Sequence, residues 1–228
     1  MNLPQWYAEV ALRQPDLFRL IGDFHSRPQM WAHPDRLAIL PHKEVLTYLA
    51  NSPTGQKHAS RWVTAQLGIA HVPAWWDFTP PRRRLVLMNS ATLEKLACYC
   101  GAALQAARIG TIIARQQTVE LKEAIGAAAH AFALRRGRLM PVPSLPQLTA
   151  EATGNFGQQV LASGWAVLLG MLSNEPPELL RRFWIKLPPL VSRDSVPKLA
   201  EEECDQVWTF VRRVGNEVFT KEEQACFA

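Results

Sequence analysis

Residues 92–136 read TLEKLACYCGAALQAARIGTIIARQQTVELKEAIGAAAHAFALRR and contain no proline, unlike the chain on either side. Leu93, Leu96, Ala97, Cys100, Leu104 and Ala107 fall at helical spacing, on one face of an α-helix. Leu121, Ile125, Ala128 and Phe132 repeat the pattern. Small residues (Gly101, Ala102, Ala103, Ala106, Ala107, then Gly126 to Ala129) allow close helix approach, and the alanines favour helix intrinsically. The stretch predicts two or three packed core helices, broken between Arg108 and Gln117. It carries no chemistry of its own.

Working toward the N-terminus, residues 70–90 (AHVPAWWDFTPPRRRLVLMNS) break the helical pattern with three prolines, three aromatics and three consecutive arginines. They read as a linker or long surface loop, with Leu85 to Met88 as a short extended piece. Ser90 or Asn89 is the expected N-cap of the helix that follows. Before it, residues 5–24 form a helical segment that Pro15 splits, with Trp6, Val10, Leu17, Leu20, Ile21 and Phe24 as its apolar set. Residues 26–41 form a loop with a short helix from Pro34 to Leu40, opened by His33-Pro34. Helices follow over 42–51 and 56–69.

Beyond Arg136, GRLMPVPSLP is a second break. Residues 147–173 give a helix through Leu161, Trp165, Leu168 and Leu172. A further helix restarts at Pro176-Pro177 and stops by Pro188-Pro189. The last, over 196–219, carries Val207, Val211, Val214 and Val218 on one face, with acidic first turns and basic later ones that suit the helix dipole. The fold class is all-α: a compact multi-helix domain with long proline-rich loops. Residues 1–70 form a helical N-terminal part, 71–90 a loop or linker, and 91–228 a helical core with C-terminal helices, all in one compact unit.

The 228 residues carry a net charge of +5, a mild bias short of one that argues for nucleic acid unaided. A chain this long buries roughly 70% of its unfolded surface and needs no covalent staples. The four cysteines, Cys98, Cys100, Cys204 and Cys226, include no Cys-x-x-Cys pair. Cys98 and Cys100 would sit about 200° apart around a helix, so both cannot bind one metal there. They read as buried or free thiols of a reducing compartment. No secretory signal opens the chain, and the most apolar run, Leu161 to Leu172, falls short of the ~20 residues that span a bilayer. A cytoplasmic location without membrane insertion is expected.

No phosphate-binding glycine loop, Gly-x-Ser-x-Gly elbow or His-Glu-x-x-His motif occurs. No catalytic residue, metal ligand or cofactor is assigned, and the chain is expected not to be an enzyme. Glu201 to Glu203 read as a solvated helix start rather than a carboxylate site. Arg82, Arg83, Arg84 and Arg135, Arg136, Arg138 are the basic clusters. The first stands beside Trp75, Trp76 and Phe78, and aromatics with arginine are what interface hot spots use. These six residues, Trp75, Trp76, Phe78, Arg82, Arg83 and Arg84, form the candidate partner interface. The competing reading folds the two tryptophans back onto the core.

Three segments carry a family resemblance. MWAHPDRLAILP (30–41) resembles the aromatic-x-His-Pro-x-Arg-Leu segment of the SctK family of type III secretion proteins (the YscK, PscK, OrgA and MxiK group). LEKLACYCGAALQAARIGTII (93–113) is similar to that family's central segment through Leu93, Leu96, Cys98, Gly101, Leu104, Ile109 and Ile112. SGWAVLLGMLSNEPPELLRRFWIKLPP (163–189) resembles its Gly-rich helix, proline turn, basic helix and terminal Leu-Pro. The chain departs from that pattern after Leu190, where it is longer, and at Trp75-Trp76. The resemblance implies a non-enzymatic adaptor of the cytoplasmic sorting platform, with no catalytic residues to carry over. It would connect the inner-membrane ring protein SctD to the pod protein SctQ, and through SctQ to the stator SctL and the ATPase SctN. A helical nucleic-acid-binding or regulatory protein using the arginine clusters is the alternative.

Overall fold

Prolines set where many helices begin. A proline at the first or second helical position has a fixed φ that suits the turn and lacks only an N–H that would have no partner there. The computed structural model, which describes residues 2–52, 54–148, 155–192 and 196–227, shows this in chain order. Its helices are α1 (Leu3–Arg13), α2 (Pro15–Ser26), α3 (Pro28–Trp31), α4 (Pro34–Ala38), α5 (Lys43–Ala50) and α6 (Gly55–Gln66). A 3₁₀ helix (Pro81–Leu87) precedes α7 (Ser90–Leu104), α8 (Ala106–Ile109), α9 (Arg115–Ile125) and α10 (Ala127–Arg135). Then come α11 (Phe156–Met171), α12 (Pro177–Trp184), α13 (Glu201–Gly215) and α14 (Lys221–Ala225). Proline sits at the first or second position of α1, α2, α3, α4, the 3₁₀ helix and α12. Every regular element among the described residues is helical, so the fold is all-α.

The chain divides into two units. The first comprises Met1–Ser90, Glu175–Leu190 and Lys221–Ala228; the second comprises Ala91–Asn174 and Val191–Thr220. Residues 71–90, expected to be a linker, thus belong to the first unit, and so do α12 and α14 from the later chain.

In the first unit α1 packs on α2, α2 on α3 and on the 3₁₀ helix, and α6 on α3 and α5. Trp6, Val10, Leu17, Ile21 and Phe24 are buried, as their spacing predicts, while Leu20 of the same set is half-buried. The fold places Leu85 to Leu87 not in an extended piece but in the 3₁₀ helix, at 0–5% exposure. His33 opens α4 as expected: its Nδ1 accepts the Asp35 N–H at 3.1 Å. The segments 30–41 and 183–189 are fastened together. The His33 N–H donates to the Ile185 carbonyl at 2.8 Å, and Arg36 Nε donates to the Leu187 carbonyl at 2.7 Å.

In the second unit α7 is buried on nearly all sides, with Leu93, Leu96, Ala97 and Cys100 fully enclosed. A helix apolar all round is a core helix. Its partner α11 crosses at two glycines: a Cβ on Gly101 would overlap the Val160 carbonyl, and one on Gly164 would overlap the Ala97 carbonyl. The expected break falls between Ile109 and Arg115, but the stretch holds four helices rather than two or three. Gly126, expected to be a packing residue, is instead the break between α9 and α10, with φ at 84° and open space around it. That turn shifts the register, so Ala129 is buried where Ala128 was expected. Ala107 likewise faces solvent because α7 ends at Leu104. The expected helix over 147–173 is seen as α11, with residues 149–154 outside the described residues. The helix expected over 196–219 is α13, started by Glu203, whose carboxylate accepts the Ala200 N–H at 2.8 Å.

Candidate functional site

Pro73, Pro80 and Pro81 keep residues 72–80 out of any helix, and the first unit uses this irregular segment as internal framework. The Thr79 N–H donates to the Asp77 carboxylate at 3.1 Å, a tight turn that directs the chain inward. Phe78 follows it into the core at 0% exposure, edge-on to Phe24.

The three arginines go the same way. Arg82 Nε and Arg83 Nε donate to the two oxygens of Glu175 at 2.7 and 2.5 Å. The Glu175 side chain is 1% exposed, so this is a buried carboxylate with a cation on each oxygen. Arg83 also pairs with Asp77 and lies 5.5 Å from the Trp75 ring centroid. Arg84, at 6% exposure, donates to the carbonyls of Phe78, Thr79 and Cys226 at 3.0, 3.2 and 2.9 Å and lies over Trp6. A guanidinium so enclosed satisfies backbone groups that water cannot reach. Of the six candidate interface residues, Phe78 and Arg84 are buried and Arg82 and Arg83 are mostly enclosed. These arginines clamp the unit from within, a geometry that gives them no phosphate-facing fork for nucleic acid.

The two tryptophans part company. Trp75 is half-buried and donates its indole N–H to the Asp77 carbonyl at 3.0 Å. Trp76 is 46% exposed. Its ring lies 4.3 Å from His25 and 6.3 Å from Tyr7, and Tyr7 lies 6.3 Å from Phe18, itself 47% exposed. The Tyr7 hydroxyl donates to the Trp76 carbonyl at 2.5 Å and fixes the loop to α1. Burial, then the nearby Asp77 carboxylate, pushes the Tyr7 phenol up to about 12, so it remains a donor. A half-exposed aromatic strip therefore runs from Phe18 through Tyr7 and Trp76 to His25.

Sequence reasoning found one member of that strip and missed three. Phe18 and His25 are seven residues apart, so they share a face of α2, and Gly22 between them leaves that face low. That spacing was visible in the sequence. The pairing with α1 and the loop was not.

Lys186 is another buried basic residue of the first unit, 1% exposed. Its Nζ donates to the carbonyls of Val86 and Met88 at 2.6 and 2.9 Å and lies about 5 Å from both the Phe24 and Trp31 rings. Burial holds its pKa well below the usual lysine value. The four cysteines are buried and unbridged, and burial raises the Cys98 thiol to about 11. Among the described residues, no group of three or more His, Cys, Asp and Glu side chains is arranged to hold a metal ion. Nor is any helix there long and apolar enough to cross a membrane.

Residues 19–225 match the family model described as YOP proteins translocation protein K (YscK), and the chain belongs to that family of type III secretion proteins. The match runs through the region after Leu190, which the sequence reading set apart as a departure. No curated protein and no solved structure matches the chain.

Proposed function

We propose that this YscK-family chain is a non-enzymatic cytoplasmic adaptor of a type III secretion sorting platform. It links the inner-membrane ring protein SctD to the pod protein SctQ and, through SctQ, to the stator SctL and the ATPase SctN. The observation that carries this reading is the family match over residues 19–225. The half-exposed strip of Phe18, Tyr7 and Trp76 supports it, since aromatic groups set in a rigid frame suit protein docking. The inward commitment of Arg82, Arg83 and Arg84 removes one of the two arginine clusters that the nucleic-acid alternative would use.

The test is co-purification of the full chain, tagged and expressed in its own host, followed by imaging of fluorescent SctQ in cells lacking the chain. The adaptor reading expects SctD and SctQ to co-purify with it and SctQ foci at the inner membrane to disperse without it. Intact foci, or a purified chain that brings down neither protein, would sink the reading.

A further inference from the structure

From Val45 to Trp76 the chain carries no carboxylate, yet it carries Lys57, His58, Arg61 and His71. On α6, Lys57, Ser60, Arg61 and Thr64 fall at i, i+3, i+4 and i+7, one helical face. Together with His25, Ser26 and Arg27 they line a groove of about 490 Å³. No acidic side chain lines it. Lys57 and Arg61 are exposed. Arg27 has an exposed partner, Asp23, at 3.5 Å, and an ion pair of that kind contributes little.

The residues packed against this groove add unpartnered donors. Gln29 is 8% exposed, and its side-chain carbonyl accepts from Ser60, a groove residue, at 2.8 Å, which leaves its amide Nε2 buried with no partner. Arg182, 6% exposed, donates Nη2 to the Val72 carbonyl at 3.1 Å, while its Nε and Nη1 are buried without partners. Its charge reaches His25, whose ring lines the groove. Enclosed as they are, these donors add positive field behind the groove rather than direct contacts to an occupant. Positive potential from Lys57 and Arg61, in a groove that no carboxylate lines, selects an anionic occupant.

His25 also joins the groove to the aromatic strip, through its contact with Trp76 at 4.3 Å. We propose that the groove between α2 and α6 and the aromatic strip that meets it at His25 form one docking surface for an acidic protein segment bearing an apolar anchor. Carboxylates of the segment meet Lys57 and Arg61, and its anchor packs on Trp76 and Phe18. The assignment rests on the adaptor reading in taking the occupant to be protein; the aromatic strip favours that over a phosphate backbone, which needs no apolar contact.

The experiment measures binding of a fluorescent peptide of alternating Glu and Leu with one Trp to the full chain. Its Lys counterpart and a short duplex DNA are the comparisons. The variants are Lys57→Glu/Arg61→Glu and, separately, Trp76→Ala, each checked by thermal melting. The surface expects the acidic peptide to bind with roughly tenfold preference over the Lys peptide, weakening as salt rises. It expects each variant to weaken binding by roughly tenfold or more, with the melting temperature unchanged for the charge-reversed variant and lowered by no more than about 4 °C for Trp76→Ala. No binding of the acidic peptide, equal binding by the charge-reversed variant, or tighter binding of DNA overturns the proposal. A chain that binds the acidic peptide through these residues but neither SctD nor SctQ keeps the surface and overturns the adaptor reading.

Discussion

Gly101 of α7 and Gly164 of α11 meet backbone to backbone. A Cβ on Gly101 would come within 3.0 Å of the Gly164 nitrogen, and one on Gly164 within 3.1 Å of the Gly101 nitrogen. Each would also run into a carbonyl of the opposite helix that cannot rotate away. Gly101→Ala and Gly164→Ala should therefore each destabilise the chain by roughly 1–3 kcal/mol, although alanine favours helix. Urea denaturation of the two single variants and the double variant checks this. Once one methyl has pushed the helices apart the second costs less, so the double effect should fall short of the sum.

Glu175 gives both carboxylate oxygens to arginines from a segment more than ninety residues away, at 1% side-chain exposure. Removing one partner of a buried pair strands the other charges. Glu175→Gln should cost roughly 3–5 kcal/mol. Glu202→Gln, on the exposed first turn of α13, should stay within about 0.5 kcal/mol. Equal melting curves for the two variants would refute the clamp.

Much of this architecture was legible because it is local. Pro15 and Pro34 mark helix starts by fixing φ, His33 caps the helix it precedes, and Leu93, Leu96, Ala97 and Cys100 lie on one face whatever surrounds them. The segment around Trp75 was misleading because prolines and arginines together suggest surface. Whether Arg82 faces water depends on Glu175, and no short-range pattern links them. Gly126 was ambiguous for another reason. A glycine among alanines suits close packing and a positive φ equally well, and only the chain direction after Ile125 decides. The basic face of α6 did leave a signal, the carboxylate-free run from Val45 to Trp76, which shows only when the charges are mapped onto one side of a helix.

Lys186 sits where a lysine can shed its proton and an arginine cannot. Lys186→Arg should destabilise the chain more than Lys186→Met. The arginine forces a permanent, larger cation against the stacked Phe24 and Trp31 rings, at a cost of roughly 2–4 kcal/mol. The methionine carries no charge and leaves the Val86 and Met88 carbonyls without this donor, about 1–3 kcal/mol. Chemical denaturation of both variants at neutral pH decides the order.

His25 gives the chain an acid-side sensitivity. Burial first, then the Arg182 charge, lowers its pKa from 6.5 to about 4, with the Trp75 carbonyl pulling the other way. Between those values the folded ring is neutral while the unfolded one takes up a proton. Its contribution is therefore fully present above about pH 6.5 and is lost as pH falls toward about 4. Allowing for the part of the ring that water reaches, the loss is about 1–2 kcal/mol. His25→Phe should flatten the pH dependence of urea stability across that window. An unchanged slope would show that other groups carry it.

The segment from Val72 to Arg84 combines two roles, and two substitutions separate them. Phe78 is enclosed at 0% exposure against Phe24, on a chain turned inward at Asp77. Phe78→Ala leaves a ring-sized cavity in the first unit and should cost about 3–5 kcal/mol. Trp76 keeps 46% of its surface in solvent, and its ring contacts are with His25 and Tyr7. Its backbone carbonyl, not its indole, holds the Tyr7 hydroxyl. Trp76→Ala preserves that bond and removes a half-exposed ring, so about 1 kcal/mol or less should be lost. Thermal melting and urea denaturation of the two variants provide the comparison. A large loss for Trp76→Ala would make that ring part of the core and would remove the strip as a docking element. A small loss for Phe78→Ala would mean the segment is not the internal framework its hydrogen bonds describe.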